Sequence, residues 1–252
     1  MSIQACAELV ERADPDRFRA TMAAPVAARD VLFPIFAFNV EVSRAPWVTQ
    51  EPMIAEMRLQ WWRDALEEIQ QNGVPRKHEV TTPLAGVLSG AMAAVLDANV
   101  AARRWDIYKD AFEDAAHFDE YLGATTGGLL WVAAWALGAK DEASVRRYAK
   151  GIAIANWLVA VPALEAAGRI PLLDGRADAV RDLAKTGLDA MASVSRDDIP
   201  AVAHPALWSG WKAKAILRQV IKTPARVADG ALGVSEFGAN LGLLRRSVLG
   251  GL

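Results

Sequence analysis

The chain has 252 residues, of which 53% are hydrophobic and 23% charged, and its formal net charge is −2. This length and composition suit one domain with a large core, and we treat residues 1–252 as a single domain. The small net charge provides no positive field for a polyanion, which argues against nucleic acid as a partner. Cys6 is the only cysteine, so an intramolecular disulfide is excluded, and its isolation is consistent with a reducing compartment.

The first residues contain no basic stretch followed by an apolar segment, and acidic residues begin at Glu8. We therefore expect no signal or transit peptide and a cytoplasmic location. The longest apolar runs, 127–139 and 151–163, are shorter than the ~20 residues that a membrane-spanning helix needs. We expect both runs to be buried core helices.

The sequence pattern is helical throughout. Alanine is abundant, alternating β-branched residues are scarce, and apolar residues recur every three or four positions, which predicts an all-α protein. Proline and glycine mark the expected helix ends. The predicted helices are 15–22, 25–46, 51–72, 82–95, 103–112, 118–137, 141–166, 177–194, 208–221 and 235–249.

One stretch, Phe33–Trp47 with the sequence FPIFAFNVEVSRAPW, resembles the first substrate helix of the squalene/phytoene synthases. In that family, carboxylates one helical turn apart on this helix bind the same Mg²⁺. Here the carboxylate positions hold Ser43, Arg44 and Trp47, and Val40 stands at the position of the motif arginine. The framework of the motif is retained without its metal ligands.

Three other stretches extend the resemblance over residues 14–173. Residues 121–130 resemble the helix that packs against the substrate cavity, and Trp105-Asp106 resembles a Met-Asp pair before it. Residues 156–165 resemble the second aspartate-rich motif, but Val159, Ala160 and Leu164 occupy its charged positions. The resemblance implies an isoprenoid synthase-like helical bundle around a central cavity. It further implies a degenerate substrate cavity lined by Ser43, Arg44, Trp47, Tyr121, Asn156, Ala160 and Leu164.

The loss of both acidic motifs decides the expected chemistry. No motif carboxylate remains to hold Mg²⁺, and ionisation of a prenyl diphosphate needs that charge neutralisation. We therefore expect no catalytic residue, no cofactor, and no condensed product from farnesyl diphosphate and Mg²⁺. His78, His117 and His204 lack the spacing of zinc ligands, so we expect no metal site.

The residues Ala37–Glu41, Glu51-Pro52 and Arg58–Arg63 are similar to a subfamily that includes assembly factors of respiratory complex I. Loss of the acidic motifs is general in that subfamily. The resemblance implies a pseudo-enzyme that binds a protein partner, such as a complex I subunit, during assembly of the NADH:quinone oxidoreductase. It also implies contact with the inner face of the membrane.

The expected partner-binding residues are Arg58, Trp61 and Trp62. Adjacent helical residues point ~100° apart, so one of the two tryptophans must be partly exposed. Two interpretations stay open: Arg58 packs on a tryptophan ring as a surface cation–π pair, or these side chains form part of a docking site.

Two other functions also stay open. The first is a prenyl transferase of the squalene/phytoene type with relocated Mg²⁺ ligands, which requires two acidic pairs in one cavity. The pairs Asp106/Asp110 and Asp64/Glu68 have helical spacing, but we expect both on solvated helix faces. The second is a cavity that binds an apolar lipid or quinone without chemistry.

The last predicted helix carries an apolar stripe beside two arginines. The stripe consists of Phe237, Leu241, Leu244 and Val248, and the arginines are Arg245 and Arg246. This arrangement suits either packing onto the domain, which we favour, or contact with an anionic membrane surface.

Overall fold

The computed structural model describes residues 2–252, except the side chains of residues 236, 237, 239–241 and 249. The described chain is helical and contains no strand. Its helices are α1 Ile3–Ala13, α2 Pro15–Met22, α3 Val26–Arg44, α4 Pro52–Gln70, α5 Thr81–Ala85, α6 Gly90–Ala102, α7 Trp105–Tyr108, α8 Ala115–Leu122, α9 Gly128–Ala136, α10 Glu142–Ala166, α11 Ala177–Ala192, α12 His204–Leu207, α13 Ala213–Lys222 and α14 Glu236–Leu249. A π-helical turn, Gly123–Gly127, joins α8 to α9.

Side-chain caps begin several helices where the sequence predicts them. Asp14 accepts a hydrogen bond from the Arg17 amide at 3.0 Å, and Pro15 occupies the first position of α2. Asp141 caps α10 by accepting hydrogen bonds from the amide and the hydroxyl of Ser144. These bonds hold the pKa of Asp141 below its usual value. Such caps satisfy amide groups that have no partner within the helix.

Several parts of the helix pattern differ from the prediction. The predicted helix 118–137 is interrupted by the π-helical turn, and the helix predicted over 208–221 begins only at Ala213. Helix α1 is not predicted, although Ser2 caps it. The predicted helix 82–95 is divided into α5 and α6, because Ser89 caps a new helix by accepting a hydrogen bond from Met92. In place of the predicted helix 103–112 the structure has only the single turn α7, which ends at Tyr108 because the next residue, Lys109, has a φ of 60°. A left-handed residue cannot continue a right-handed helix.

Helix α10 lies at the centre of the core and contacts α9, α11 and α13. By length and composition alone it could cross a membrane, since one 18-residue window has a mean hydropathy of 1.2. Half of that window is buried inside the protein. Residues 151–155, Trp157, Leu158 and Val161 are buried, whereas Asn156 and Val159 are exposed and the last turn is only partly covered. The expectation that the half of the helix after Gly151 is core is therefore confirmed for one face only.

The C-terminal helix α14 begins at its cap Ser235 and agrees with the predicted span. The side chains of Phe237 and Leu241 lie outside the described residues. Of the other stripe residues, Leu244 and Val248 are exposed. The carbonyl of Gly251, just beyond the helix, accepts a hydrogen bond from the Trp208 indole at 2.9 Å. This bond attaches the end of the chain to the domain.

The single thiol gives a first testable prediction. Cys6 is fully buried, and burial, assisted by the charge of Glu79, raises the pKa of the thiol to about 11. At neutral pH the sulfur therefore stays protonated and inaccessible, and the thiolate is the reactive form. We expect a disulfide reagent to label the native protein only as fast as the protein unfolds, measured by absorbance of the released thiolate.

Protein unfolded in urea is the control and should react at once. Rapid stoichiometric labelling of the native chain would show that α1 opens locally without global unfolding.

Candidate functional site

The residues at the end of α3 lie in two different surroundings. Ser43 is half-buried and donates a hydrogen bond to the Val40 carbonyl at 3.2 Å. Arg44 is exposed and lies 4.0 Å from the Glu41 carboxylate. Both line a pocket that is completed by residues of α1 and by its cap Asp14. The two positions that hold carboxylates in the synthases therefore face the N-terminal helices here.

Trp47, the third substituted position, contacts the segment after the second motif instead. Its ring is 44% exposed, and the guanidinium of Arg169 lies 4.4 Å from the ring centroid. Arg169 follows α10, the helix that carries the second degenerate motif. A cation–π contact thus joins the ends of the two motif segments.

Of the remaining predicted cavity residues, all but Tyr121 lie on α10. Asn156 is exposed and lines a surface pocket with residues of α2 and of the segment 209–213. Ala160 and Leu164 are partly buried, and Leu164 packs against the core. A single cavity shared by all these residues stays a prediction.

Tyr121 belongs to a buried charged network. Its hydroxyl donates to Asp106 Oδ1 at 2.8 Å and accepts from Arg103 Nη1 at 2.9 Å. Arg103 also lies 3.2 Å from Asp106 Oδ2, and Arg169 donates to the Asp106 carbonyl oxygen. The prediction that Asp106 lies on a solvated face is wrong, since it is only 4% exposed. The reason is that α7 is a single turn, whose one acidic side chain is turned toward Arg103.

Burial and charge together set the protonation of this network. Burial is the main cause that raises the pKa of Tyr121 above its usual value; the Asp106 carboxylate adds to it and Arg103 opposes it. Desolvation lowers the pKa of Arg103, but Tyr121 and Asp106 outweigh it and the net shift is upward. At neutral pH the Tyr121 phenol is therefore neutral and the Arg103 guanidinium is charged.

Aromatic rings enclose the network. Trp105 stacks on Phe112 with centroids 4.0 Å apart, and Trp157 lies 5.5 Å from the Tyr121 ring. The Trp157 indole donates to the Pro171 carbonyl at 2.8 Å. The network and its rings fasten α7 and α8 to the end of α10. Two sequence signals point to this cluster: the resemblance of Trp105-Asp106 to a family motif and that of residues 121–130 to the cavity helix.

The two adjacent tryptophans of α4 face different ways, as expected. Trp62 is 4% exposed and packs edge-on against Phe38 with centroids 5.4 Å apart. Trp62 is therefore a core residue, which corrects its assignment as a direct partner contact. Trp61 is half-buried, and the cation over its ring is Arg76, at 5.2 Å. Of the two interpretations left open, the one in which Arg58 packs on a tryptophan ring is wrong.

Arg76 takes this place because two carboxylates hold it there. Glu68 binds it at 2.7 Å and Asp64 lies 3.7 Å away. The hydrogen bonds from Arg76 hold the pKa of Glu68 below its usual value. Asp64 and Glu68 are therefore surface residues in an ion-pair cluster, as expected. Arg58 is exposed and makes no described hydrogen bond, ion pair or ring contact.

A groove of about 420 Å³ borders this part of α4. Its lining is formed by Glu41, Ala45, Ile54, Met57, Arg58, Trp61, Trp62 and His78. Met57 is 66% exposed, and Met53, one turn earlier, is 75% exposed. Met53, Ile54 and Met57 are not among the residues predicted from the sequence. The sequence does contain a signal for them: they are apolar but do not fall on the helix face of Ala55, Leu59 and Trp62, which is buried.

Among the side chains that the structure describes, no group of three His, Cys, Asp or Glu residues is placed to hold a metal ion. His78 packs edge-on against Trp61 and Trp62, with centroids 5.3 and 5.5 Å away. The buried His204 contacts the Ile199 carbonyl through Nε2 at 2.8 Å.

Residues 10–172 match the family model of squalene/phytoene synthase. The chain belongs to the squalene/phytoene synthase family. The structure is similar to that of a dehydrosqualene synthase, with a TM-score of 0.69 and 12% sequence identity over 97% of this chain and 94% of that one. This likeness confirms the isoprenoid synthase fold and says nothing about activity.

The curated relatives of this family member include complex I assembly factors. The chain is 30% identical over 166 residues to the NADH dehydrogenase (ubiquinone) complex I assembly factor 6 homolog of Drosophila melanogaster, covering 62% of this chain and 50% of that protein. The chain is 26% identical over 146 residues to assembly factor 6 of Homo sapiens, and this match covers 54% of this chain and 41% of that protein. The chain thus spans half or less of the length of these relatives.

Within the squalene/phytoene synthase family, this member departs from the Mg²⁺-binding pattern at both motifs. Ser43 and Arg44 line one pocket, and Trp47 makes a cation–π contact with Arg169.

Proposed function

We propose that this protein is a non-catalytic member of the squalene/phytoene synthase family that binds a partner during assembly of respiratory complex I. The observation that carries the proposal is its similarity to assembly factor 6 of two animals. The residues at the motif positions support it, because serine, arginine, tryptophan, alanine and leucine provide no carboxylate for Mg²⁺. The proposal assigns no cofactor.

The exposed face of α4 is the proposed partner surface. Met53 and Met57 expose most of their side chains beside the groove, and the next residue, Arg58, lines the groove and has no intramolecular partner among the described residues. Methionine and arginine are enriched at protein interfaces, and contiguous exposed apolar side chains mark contact sites. We propose a complex I subunit as the partner, met at the inner face of the membrane.

The central test is replacement of Arg58 by Ala. Because Arg58 is exposed and unpaired, its removal should change the free energy of unfolding by less than ~0.5 kcal/mol. An arginine at an interface centre can contribute ~2 kcal/mol, so partner capture should weaken about 30-fold. The measurements are thermal unfolding and the NADH:quinone oxidoreductase activity that each variant restores to a deletion strain.

Arg19→Ala is the matched control, since Arg19 is an exposed arginine on α2, away from the groove. Met57→Ser tests the apolar part of the same surface and should also reduce rescue. Full rescue by Arg58→Ala and Met57→Ser would remove the α4 face from the proposal. A deletion strain with normal complex I but without squalene or carotenoid would establish the prenyl transferase function instead.

A further inference from the structure

A second pocket, of about 200 Å³, lies between the segment after α3, the start of α4 and the end of α10. It is lined by Pro46, Trp47, Thr49, Gln50, Glu51, Pro52, Ala55, Ile107, Lys109, Ala167 and Arg169. We propose that this pocket binds an oxyanion of the size of inorganic phosphate, and that it does so without a metal ion. The proposal is independent of the complex I function and can be tested on the purified chain.

The first support is the unsatisfied guanidinium of Arg169. This side chain is only 6% exposed, yet its Nε and Nη1 atoms have no acceptor in the described structure. Its remaining nitrogen binds a backbone carbonyl, and the nearby Asp106 carboxylate is already shared by Arg103 and Tyr121. A buried charge without a partner is costly. An anion in the pocket would remove that cost.

The second support is the N-terminus of α4, which forms one wall. The helix has 19 residues, and its cap Glu51 makes no side-chain hydrogen bond to it. Helix N-termini carry a partial positive charge and attract oxyanions. The Thr49 hydroxyl accepts from the Glu51 amide at 3.1 Å and keeps its own hydrogen available for a ligand.

The charges that line the pocket favour an anion. Lys109 is exposed and makes no described ion pair, so the lining contains two cations, Lys109 and Arg169. Glu51 is the one acidic residue among the lining residues. A water molecule takes up ~30 Å³ in the liquid, so the pocket accommodates one phosphate-sized ion together with waters.

Binding requires a small local adjustment. The two free nitrogens of Arg169 are covered by neighbouring atoms. Two indole rings lie against the guanidinium, Trp47 at 4.4 Å and the less exposed Trp105 at 5.8 Å. We assign the adjustment to Trp47, whose tilt would open Nε and Nη1 to the ligand.

The experiment is calorimetric titration of the purified chain with inorganic phosphate at constant ionic strength. Lys109→Asn removes one cation and should weaken binding about tenfold, because a charge-assisted hydrogen bond is lost. Asparagine tolerates the left-handed backbone found at this position. Glu51→Gln removes the opposing charge and should tighten binding. Lys140→Asn, at an exposed lysine elsewhere on the surface, is the control and should change nothing.

Flotation with phosphatidylcholine vesicles containing phosphatidic acid distinguishes the source of the phosphate group. Flotation that is lost in Lys109→Asn identifies a lipid headgroup, and calorimetric binding without flotation identifies a free phosphate. The proposal is overturned if neither probe binds, or if Lys109→Asn and Lys140→Asn behave alike.

Discussion

Replacement of Asp106 by Ala is expected to lower the free energy of unfolding by about 3–5 kcal/mol, the range for breaking a buried ion pair from one side. Asp106 is 4% exposed and accepts hydrogen bonds from both Arg103 and Tyr121. Without it, a mostly buried guanidinium keeps its charge with no carboxylate to offset it. The tyrosine hydroxyl also loses its acceptor.

Asp110→Ala is the matched control, because Asp110 lies four residues later and is exposed. The free energy of unfolding of Asp110→Ala should stay within ~0.5 kcal/mol of that of the wild-type protein. Urea unfolding followed by circular dichroism measures both variants. Equal stability of the two would show that the charged network contributes little, and that the aromatic rings around it hold α7 and α8 in place.

Gly151→Ala should also destabilise strongly, by about 3 kcal/mol, the upper end of the usual range for overpacking. A Cβ atom at Gly151 would lie 2.4 Å from the Gly187 carbonyl oxygen and 2.2 Å from Met191 Cγ. The methionine side chain can move, but the carbonyl oxygen belongs to the backbone of α11. The two helices must therefore separate, which opens the core on both sides of the contact.

Gly123→Ala is the opposite case and serves as the control. No atom lies within 4 Å of a Cβ built at Gly123, and its backbone is helical with a φ of −65°. The substitution should stabilise by up to ~1 kcal/mol through helix propensity alone. Thermal unfolding of both variants separates propensity from packing. If Gly151→Ala also stabilises the protein, α10 and α11 do not pack as closely at Gly151 and Gly187 as the structure indicates.

Local chemistry decided much of the fold, and the sequence was therefore sufficient to predict it. Asp14-Pro15 and Asp141 begin helices because a cap bonds to amides only two or three residues away. Gly138 ends a helix because its φ of 105° suits glycine. The motif framework around Phe33–Trp47 was enough to identify the family and the isoprenoid synthase fold.

Only the tertiary structure decided which side chains became a site. Asp106 and Asp110 have the spacing of a solvated helix face, and nothing local indicates that Asp106 is buried. Its burial depends on Tyr121 and on Arg169, the latter 63 residues away along the chain. Likewise, Arg76 rather than Arg58 covers Trp61, because a loop returns to Glu68. Contacts between distant segments depend on how the helices pack, and the period of an amphipathic helix does not contain that information.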